Sequence, residues 1–249
     1  MAKIKFQNVN LSYPIYEKDQ KSRSLKHALL NISIGGALSK GKFNHVNALN
    51  NLSFELNDGD KLGIIGHNGA GKSTLLRTIG RVYTPNSGTY IIDGSVQCLL
   101  DTYMGLDHQL SAIENIEVRA ALMNVKKKDV NALFQDVAEF SDLGDYLYLP
   151  IRTYSTGMLL RLAFGLSTAI PADIIAIDEI VGTGDAAFKE RAKIRLKKFM
   201  DQAHIIVMCS HDNDYILKNC NKLMWLEHGK IKMLGDAKEV MQEYKKAIK

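Results

Sequence analysis

Residues 66–73 read GHNGAGKS, between the apolar run Lys61–Ile65 (KLGII) and the helical pattern of Thr74–Ile79 (TLLRTI). A strand, a glycine-rich loop and a helix in that order match G-x-x-x-x-G-K-[ST] in the context that gives the pattern its meaning. Gly66, Gly69 and Gly71 let the backbone curl so that its N–H groups converge on phosphate oxygens. The helix N-terminus adds its partial positive charge. Lys72 is expected to reach the β and γ phosphates, and the Ser73 hydroxyl to ligate Mg²⁺. His67, Asn68 and Ala70 complete the loop, and Thr74 opens the helix.

Three stretches further along supply groups that such a cradle needs. DIIAIDE, residues 173–179, is a buried-type strand ending in acids. Asp178 is placed to hold the Mg²⁺ shell, through water, and Glu179 to orient and polarise an attacking water. VMCSHD, residues 207–212, ends a second apolar strand at His211, which can hydrogen-bond a γ-phosphate. TYSTGMLLRLAFG, residues 153–165, starts a helix with Ser155 as N-cap and bare backbone at Gly157.

The rest of the composition bounds the answer. The chain has 249 residues, 46% hydrophobic and 24% charged, which is ordinary for a globular protein with a sizeable core. The net charge of +5 is too mild to choose between an anionic partner and no preference. No run approaches the roughly 18 apolar residues of a membrane span, and no signal-peptide pattern opens the chain, so any membrane contact is expected to go through a partner. Cys98, Cys209 and Cys220 show neither metal spacing nor a disulfide framework.

The pattern of elements is β-rich, then α/β, then helical, then α/β again. Residues 1–13 alternate as a strand; 14–44 are basic and polar, with Leu25, Ala28, Leu29 and Ile32 at the spacing of a short amphipathic helix. ALNNLSFELNDGDKLGIIG gives two strands around a turn at Asn57–Asp60. GTYIIDG is a strand, residues 111–140 and 155–170 are helical, and a charged helix separates the two acid- and histidine-bearing strands. A hairpin turning at His228–Gly229 and a final helix close the chain. Short buried strands flanking a helix imply a parallel sheet.

Taken together, the glycine loop, the S-x-G helix start, the acid pair and the strand-end histidine resemble, over essentially the whole chain, the nucleotide-binding subunit of ABC transporters. Gly66–Ser73 matches Walker A, 174–178 Walker B with Glu179 as catalytic carboxylate, and Ser155, Thr156, Gly157 and Met158 the signature motif. Gly184 and Asp185 match the end of the D-loop and His211 the switch histidine. The resemblance implies an α/β fold: a P-loop NTPase (RecA-like) core with an N-terminal antiparallel β subdomain and an all-helical, signature-bearing subdomain at about 100–170, in one ATPase domain over 1–249. It implies ATP and Mg²⁺ as cofactors, with Ser73, Asp178 and Asp101 around the metal and Lys72, Glu179 and His211 at the reacting phosphate. It implies a homodimer in which the signature contacts ATP in trans, and two copies of a polytopic membrane permease, reached through residues 94–117 and the early basic segment.

The spelling narrows the resemblance. YSTGM, RLAF, VGTGDAAF, RSLKHALL and LLDTYMGLDHQLSAIENI are similar to the subgroup that exports bacterial cell-surface polysaccharides. Lipopolysaccharide O-antigen is the expected cargo, contacted mainly by the permease, at the cytoplasmic face of the inner membrane. Capsule or teichoic acid export is the alternative. A soluble ABC-type ATPase acting on nucleic acid or ribosomes is the reading from another class, disfavoured because there is one cassette and no long coiled-coil insertion. Some O-antigen relatives carry a C-terminal β-sandwich for the polymer end; none is expected within residues 1–249. Two positions depart from the family pattern, the first being Thr156, which replaces a small Ser or Gly in the signature loop and remains compatible with phosphate contact through Ser155 and the Gly157 N–H. Asp101 stands where the family carries Gln or Glu in the Q-loop, and is preferred over Gln97, which lies four residues early. The adenine-stacking aromatic is expected at Tyr13, with Tyr16 in reserve.

Overall fold

The computed structural model of the chain describes residues 1–15, 44–99, 105–178 and 186–247. An antiparallel sheet of three strands has the order β2-β1-β4, with β1 at Lys3–Ile15, β2 at Asn44–Asn57 and β4 at Ser87–Asp93. A second sheet of six strands has the order β5-β6-β7-β3-β8-β9. Its strands are β3 (Lys61–Ile65), β5 (Val96–Leu99), β6 (Ile174–Asp178), β7 (Ile205–Cys209), β8 (Lys222–Glu227) and β9 (Lys230–Asp236). All neighbours in it are parallel except β8 and β9. The helices are α1 (Lys72–Ile79), α2 (Ala112–Leu122), α3 (Lys127–Ser141), α4 (Thr156–Ser167), α5 (Ala186–Asp201), α6 (Asn213–Asn219) and α7 (Ala237–Ala247).

The buried strands carry apolar residues on both faces, as a parallel sheet covered on two sides requires. In β6, Ile174 and Ala176 face a core shared with α1 and the antiparallel sheet, while Ile175 and Ile177 face a second core. β7 divides the same way, with Ile205, Val207 and Cys209 on one side and Ile206 and Met208 on the other. The second core is closed by α5, α6, α7 and one face of α4, through Phe188, Ile216, Val240 and Phe164. A third core, holding Ile116, Val137, Leu147 and Leu162, belongs to α2, α3, the 3-10 turn Gly144–Tyr148 and the other face of α4. These helices thus share an interior of their own.

Two features differ from the sequence reading. The strands on either side of Asn57–Asp60 enter different sheets: β2 pairs with β1, while β3 is buried between β7 and β8. The turn is therefore a crossing between layers, held by Asn57 N–H donating to the Asp60 carboxylate (2.8 Å) and Gly59 N–H to the His204 carbonyl (2.8 Å). β5 and α6 were not foreseen, because four residues with a central Gln and a single seven-residue helix carry too little periodicity. The amphipathic segment expected within 14–44 lies, apart from its ends, outside the described residues.

Asn115 ties the loop leading into α2 to the helix itself. It is 3% exposed; its Oδ1 accepts from Asp107 N–H (2.8 Å) and its Nδ2 donates to the carbonyls of Asp107 (3.0 Å) and Ser111 (2.8 Å). Ser111 and Glu114 form a reciprocal capping box at the same helix start. Asn115→Ala would orphan these buried groups, and is expected to lower unfolding free energy by about 1–3 kcal/mol. A lower urea midpoint at unchanged m-value would show it.

Candidate nucleotide-binding site

The Gly66–Ser73 loop leaves β3 at its C-terminal edge and enters α1. Its path needs glycine. Gly66 has φ 149°, and a Cβ there would strike the Leu226 carbonyl of β8; Gly71 has φ 106°, and a Cβ there would stand 2.5 Å from the Ala48 carbonyl of β2. Gly229 N–H donates to the Ala70 carbonyl (2.9 Å), and Asn50 N–H to the Gly229 carbonyl (2.8 Å). The loop is thereby tied to the β8–β9 turn and, through it, to β2. At that turn His228 and Gly229 both have positive φ, as a two-residue hairpin of this hand requires. The His67 and His228 rings lie 4.7 Å apart, a contact that the sequence reading missed.

Helix α1 has no side-chain cap and no acid in its first turn. Its first N–H groups therefore open onto the loop, in the arrangement that binds phosphate. Lys72 Nζ arches back over the loop and donates to the carbonyls of Gly66 (2.7 Å) and His67 (3.0 Å). Ser73 follows in the first turn, and Thr74 takes part in a hydrogen bond with Tyr13. Tyr13 reaches α1 from β1, its ring edge-on to Tyr83 at 5.7 Å, and burial raises its phenol above the usual range.

Asp178 is the last residue of β6, half-buried and in register with Cys209 of β7, which is in register with Ile64 of β3. The Cys209 thiol senses both sides of the site. Burial pushes it far above the ordinary thiol range, the Asp178 charge adds to the rise, and Lys72 opposes it. Lys72 and Asp178 are thus brought to the same end of the sheet. His211 follows β7 in a turn where Asp212 N–H donates to Ser210 Oγ (3.1 Å) and the Asp212 carboxylate caps α6. Glu179, Gly184, Asp185, Asp101 and Tyr16 lie outside the described residues.

Ser155, Thr156 and Gly157 stand exposed at the start of α4, with Met158 half-buried. Ser155 Oγ accepts from Met158 N–H at 3.3 Å, and α4 has no acid in its first turn. The chain leading to it is anchored: Arg152 Nη1 donates to Gln109 Oε1 (2.6 Å), and Tyr154 OH to the Tyr146 carbonyl (2.6 Å). Gln97 is 2% exposed in β5 and donates to the Ser167 carbonyl (3.0 Å), at the other end of α4. That side chain is committed to the packing of α4 on the sheet.

A parallel sheet with a glycine loop running into an uncapped helix, and an acid at the end of a nearby strand, defines a P-loop nucleotide-binding protein. Residues 49–182 match the family model described as "ABC transporter". The O-antigen export system ATP-binding protein RfbE of Yersinia enterocolitica is 45% identical over 93% of this chain and 97% of that protein. The teichoic acids export ATP-binding protein TagH of Bacillus anthracis is 36% identical over 99% of this chain, which spans 43% of that protein's length. A dimeric post-hydrolysis structure of the ATP-binding cassette MJ0796 bound to ADP and Pi shares the fold, with TM-score 0.68 at 19% identity, over 94% of this chain and 98% of that one. The chain belongs to the ABC transporter family.

All three thiols are held protonated. Burial pushes Cys98 up to about 11 and Cys220 up to about 12, with Cys209 higher still. At pH 8 the thiolate fraction is therefore negligible in the native state and is restored on unfolding. A thiol-reactive dye should leave the folded protein unlabelled and titrate Cys98, Cys209 and Cys220 in concentrated urea; fast labelling of Cys209 in the native protein would mean that the site end of β7 is open.

Proposed function

We propose that this chain is the ATP-hydrolysing subunit of a bacterial exporter of cell-surface polysaccharide, with lipopolysaccharide O-antigen as the cargo. It works as a homodimer on two copies of a membrane permease, at the cytoplasmic face of the inner membrane. The observation that carries the nucleotide chemistry is the uncapped N-terminus of α1 behind the Gly66–Ser73 loop, with Lys72 across its mouth. The cargo reading rests on similarity to the RfbE protein, which extends over nearly the full length of both chains. The TagH similarity favours teichoic acid as the second reading. Among the described residues no helix is long and apolar enough to cross a membrane.

In this reading the loop N–H groups and Lys72 bind and orient the β and γ phosphates, and Tyr13 stacks on the adenine. His67, Asn68, Gly69 and Ala70 line the loop. Among the described residues no group of three or more His, Cys, Asp or Glu is placed to hold a metal by itself. The oxygen donors Ser73 and Asp178 nevertheless fit Mg²⁺, which takes one or two protein oxygens and completes its shell with phosphate and water. Asp101 is the third candidate donor. When bound, Mg²⁺ supplies charge neutralisation at the phosphates. Glu179 orients the attacking water and accepts its proton; His211 holds the γ-phosphate side of that arrangement. Ser155, Thr156, Gly157 and Met158 of one protomer meet the nucleotide held by its partner, with Gly184 and Asp185 alongside. ATP then favours the closed dimer because only there are both sets of donors engaged.

Two variants separate these roles. Glu179→Gln should keep ATP binding, lower turnover by about 100-fold or more, and accumulate an ATP-bound dimer on a sizing column; wild-type hydrolysis would remove Glu179 from its role. Ser155→Arg should leave ATP affinity of the monomer unchanged by calorimetry and prevent dimer closure, whereas collapse of monomer binding would place this loop in the site of its own chain.

A further inference from the structure

Helix α4 carries the candidate signature at its N-terminus, and its C-terminal end is gripped from another unit of the fold. Neither α3 nor α4 has a basic residue in its last turn. Their terminal carbonyls are served instead by two arginines one turn apart on α5. Arg195 Nε donates to Thr168 Oγ1 (2.7 Å), and Nη2 to the Gly165 carbonyl of α4 (3.1 Å). The same guanidinium forks onto the Asp136 carboxylate of α3 (3.0 and 2.5 Å) and lies 4.5 Å from the centre of the Phe140 ring. Arg191 Nη2 donates to the carbonyls of Phe140 (2.5 Å) and Glu139 (3.3 Å), at the end of α3. The Arg195 side chain is only 16% exposed, so this charge is committed to the junction. Cations at helix C-termini are favoured by the helix dipole and by the unpaired carbonyls.

We propose that Arg195, seconded by Arg191, is a positioning residue for the ATPase cycle: it fixes the angle at which α4 presents Ser155–Met158 to the nucleotide of the partner protomer. The inference rests on the dimer reading above and goes beyond it. Helices α3 and α4 line their own core and also send Phe140, Leu160 and Phe164 into the core of the sheet unit, to which α5 belongs; α5 begins eight residues after Asp178. The grip therefore joins the unit that holds the acids to the unit that holds the signature. Leverage decides its importance. The twelve residues of α4 span about 18 Å at 1.5 Å per residue, so a tilt of about 10° at the grip displaces Ser155 by about 3 Å. That exceeds the tolerance of a hydrogen bond to phosphate. A lysine cannot reproduce the arrangement, because it lacks the planar fork that serves carboxylate, hydroxyl and carbonyl together. Phe140 adds to the definition of the angle: a Cβ on Gly165 would stand 3.0 Å from its ring, so α3 and α4 meet there without slack.

The test uses the full chain with Arg195→Met, Arg195→Lys and Asp136→Asn, each alone and combined with Glu179→Gln. Monomer ATP affinity is measured by calorimetry, turnover at saturating Mg-ATP, and dimerisation of the Glu179→Gln forms by analytical ultracentrifugation. Arg195→Met is expected to lower turnover and ATP-driven dimer affinity by about tenfold, with monomer ATP affinity changed less than about twofold. Arg195→Lys should recover part of the loss, and Asp136→Asn, whose side chain is about half exposed, should shift both readouts in the same direction by less. Turnover and dimerisation close to the parent in Arg195→Met overturn the proposal. So does a parallel loss of monomer ATP binding in a folded variant, which is what a scaffold role alone would give. If Arg195→Met does not fold, unchanged dimerisation of Asp136→Asn overturns it. Failure of Glu179→Gln itself to form an ATP-dependent dimer would count against the dimer reading instead.

Discussion

The close passage of backbone at Gly66 and Gly71 is the constraint on which the rest of the site depends. At each position the chain runs so near a carbonyl of another strand that a single methyl group has no room, and at each φ is positive. One carbonyl belongs to β8 of the parallel sheet and the other to β2 of the antiparallel sheet. The loop is thus the place where the two sheets meet, and the hydrogen bonds from Asn50 to Gly229 and from Gly229 to Ala70 close the junction. Tyr13 adds a third tie from β1 to the first turn of α1. A side chain at either glycine would disturb the register between sheets as well as the curl of the loop. On the proposed reading, phosphate binding and assembly of the two sheets depend on the same few atoms.

The helical block is attached by a different principle. It has its own apolar interior, and α4 is shared between that interior and the sheet: Leu160 and Phe164 pack toward the sheet, Leu162 and Leu166 toward α2 and α3. Ridges-into-grooves packing already restricts the angle between helices, as where Phe140 lies close against Gly165. The polar contacts at the two ends of α4 are directional. Ser155 marks the N-terminus, while Gln97, Thr168 and Arg195 fix the C-terminal end to β5 and α5.

Legibility in the sequence followed the range of the interactions. The strand–loop–helix at 61–79, the strand end at Asp178, the hairpin at His228–Gly229 and the helix start at Ser155 are local patterns, and each lies where the spacing places it, whereas the strand expected to end at His211 stops at Cys209. The destination of the chain after Asn57–Asp60 was not legible, because a tight turn has the same spelling whether it joins partners in one sheet or crosses between two. Four-residue β5 carries too little periodicity to read as a strand; its Gln97, the second choice to Asp101 for the Q-loop, is buried and bonded to the end of α4. Asn115 in SAIENI carried a faint signal, a polar residue inside an apolar helical face. The meeting of His67 with His228, and of Arg195 with Asp136 and Thr168, joins residues far apart in sequence and leaves no trace in any local window.

The helix ends differ in how their backbone donors are satisfied. α2 satisfies its N-terminal donors reciprocally through Ser111 and Glu114, and α6 does so through Asp212. α1 has no such cap, and its donors face Lys72 and the loop, an environment that suits an anion. α4 lies between these cases. Ser155 accepts from Met158, yet Thr156 and Gly157 remain exposed, with no acid in the first turn to oppose a phosphate. A Cβ on Gly157 would meet nothing within 4 Å, so crowding inside this protomer does not explain the glycine. Gly66 and Gly71 are required by neighbours within the chain, whereas Gly157 meets none among the described residues, which leaves room for a close approach from outside. On the proposed reading that approach is made by the nucleotide of a second copy, and the angle of α4 set at its far end decides whether the two surfaces meet.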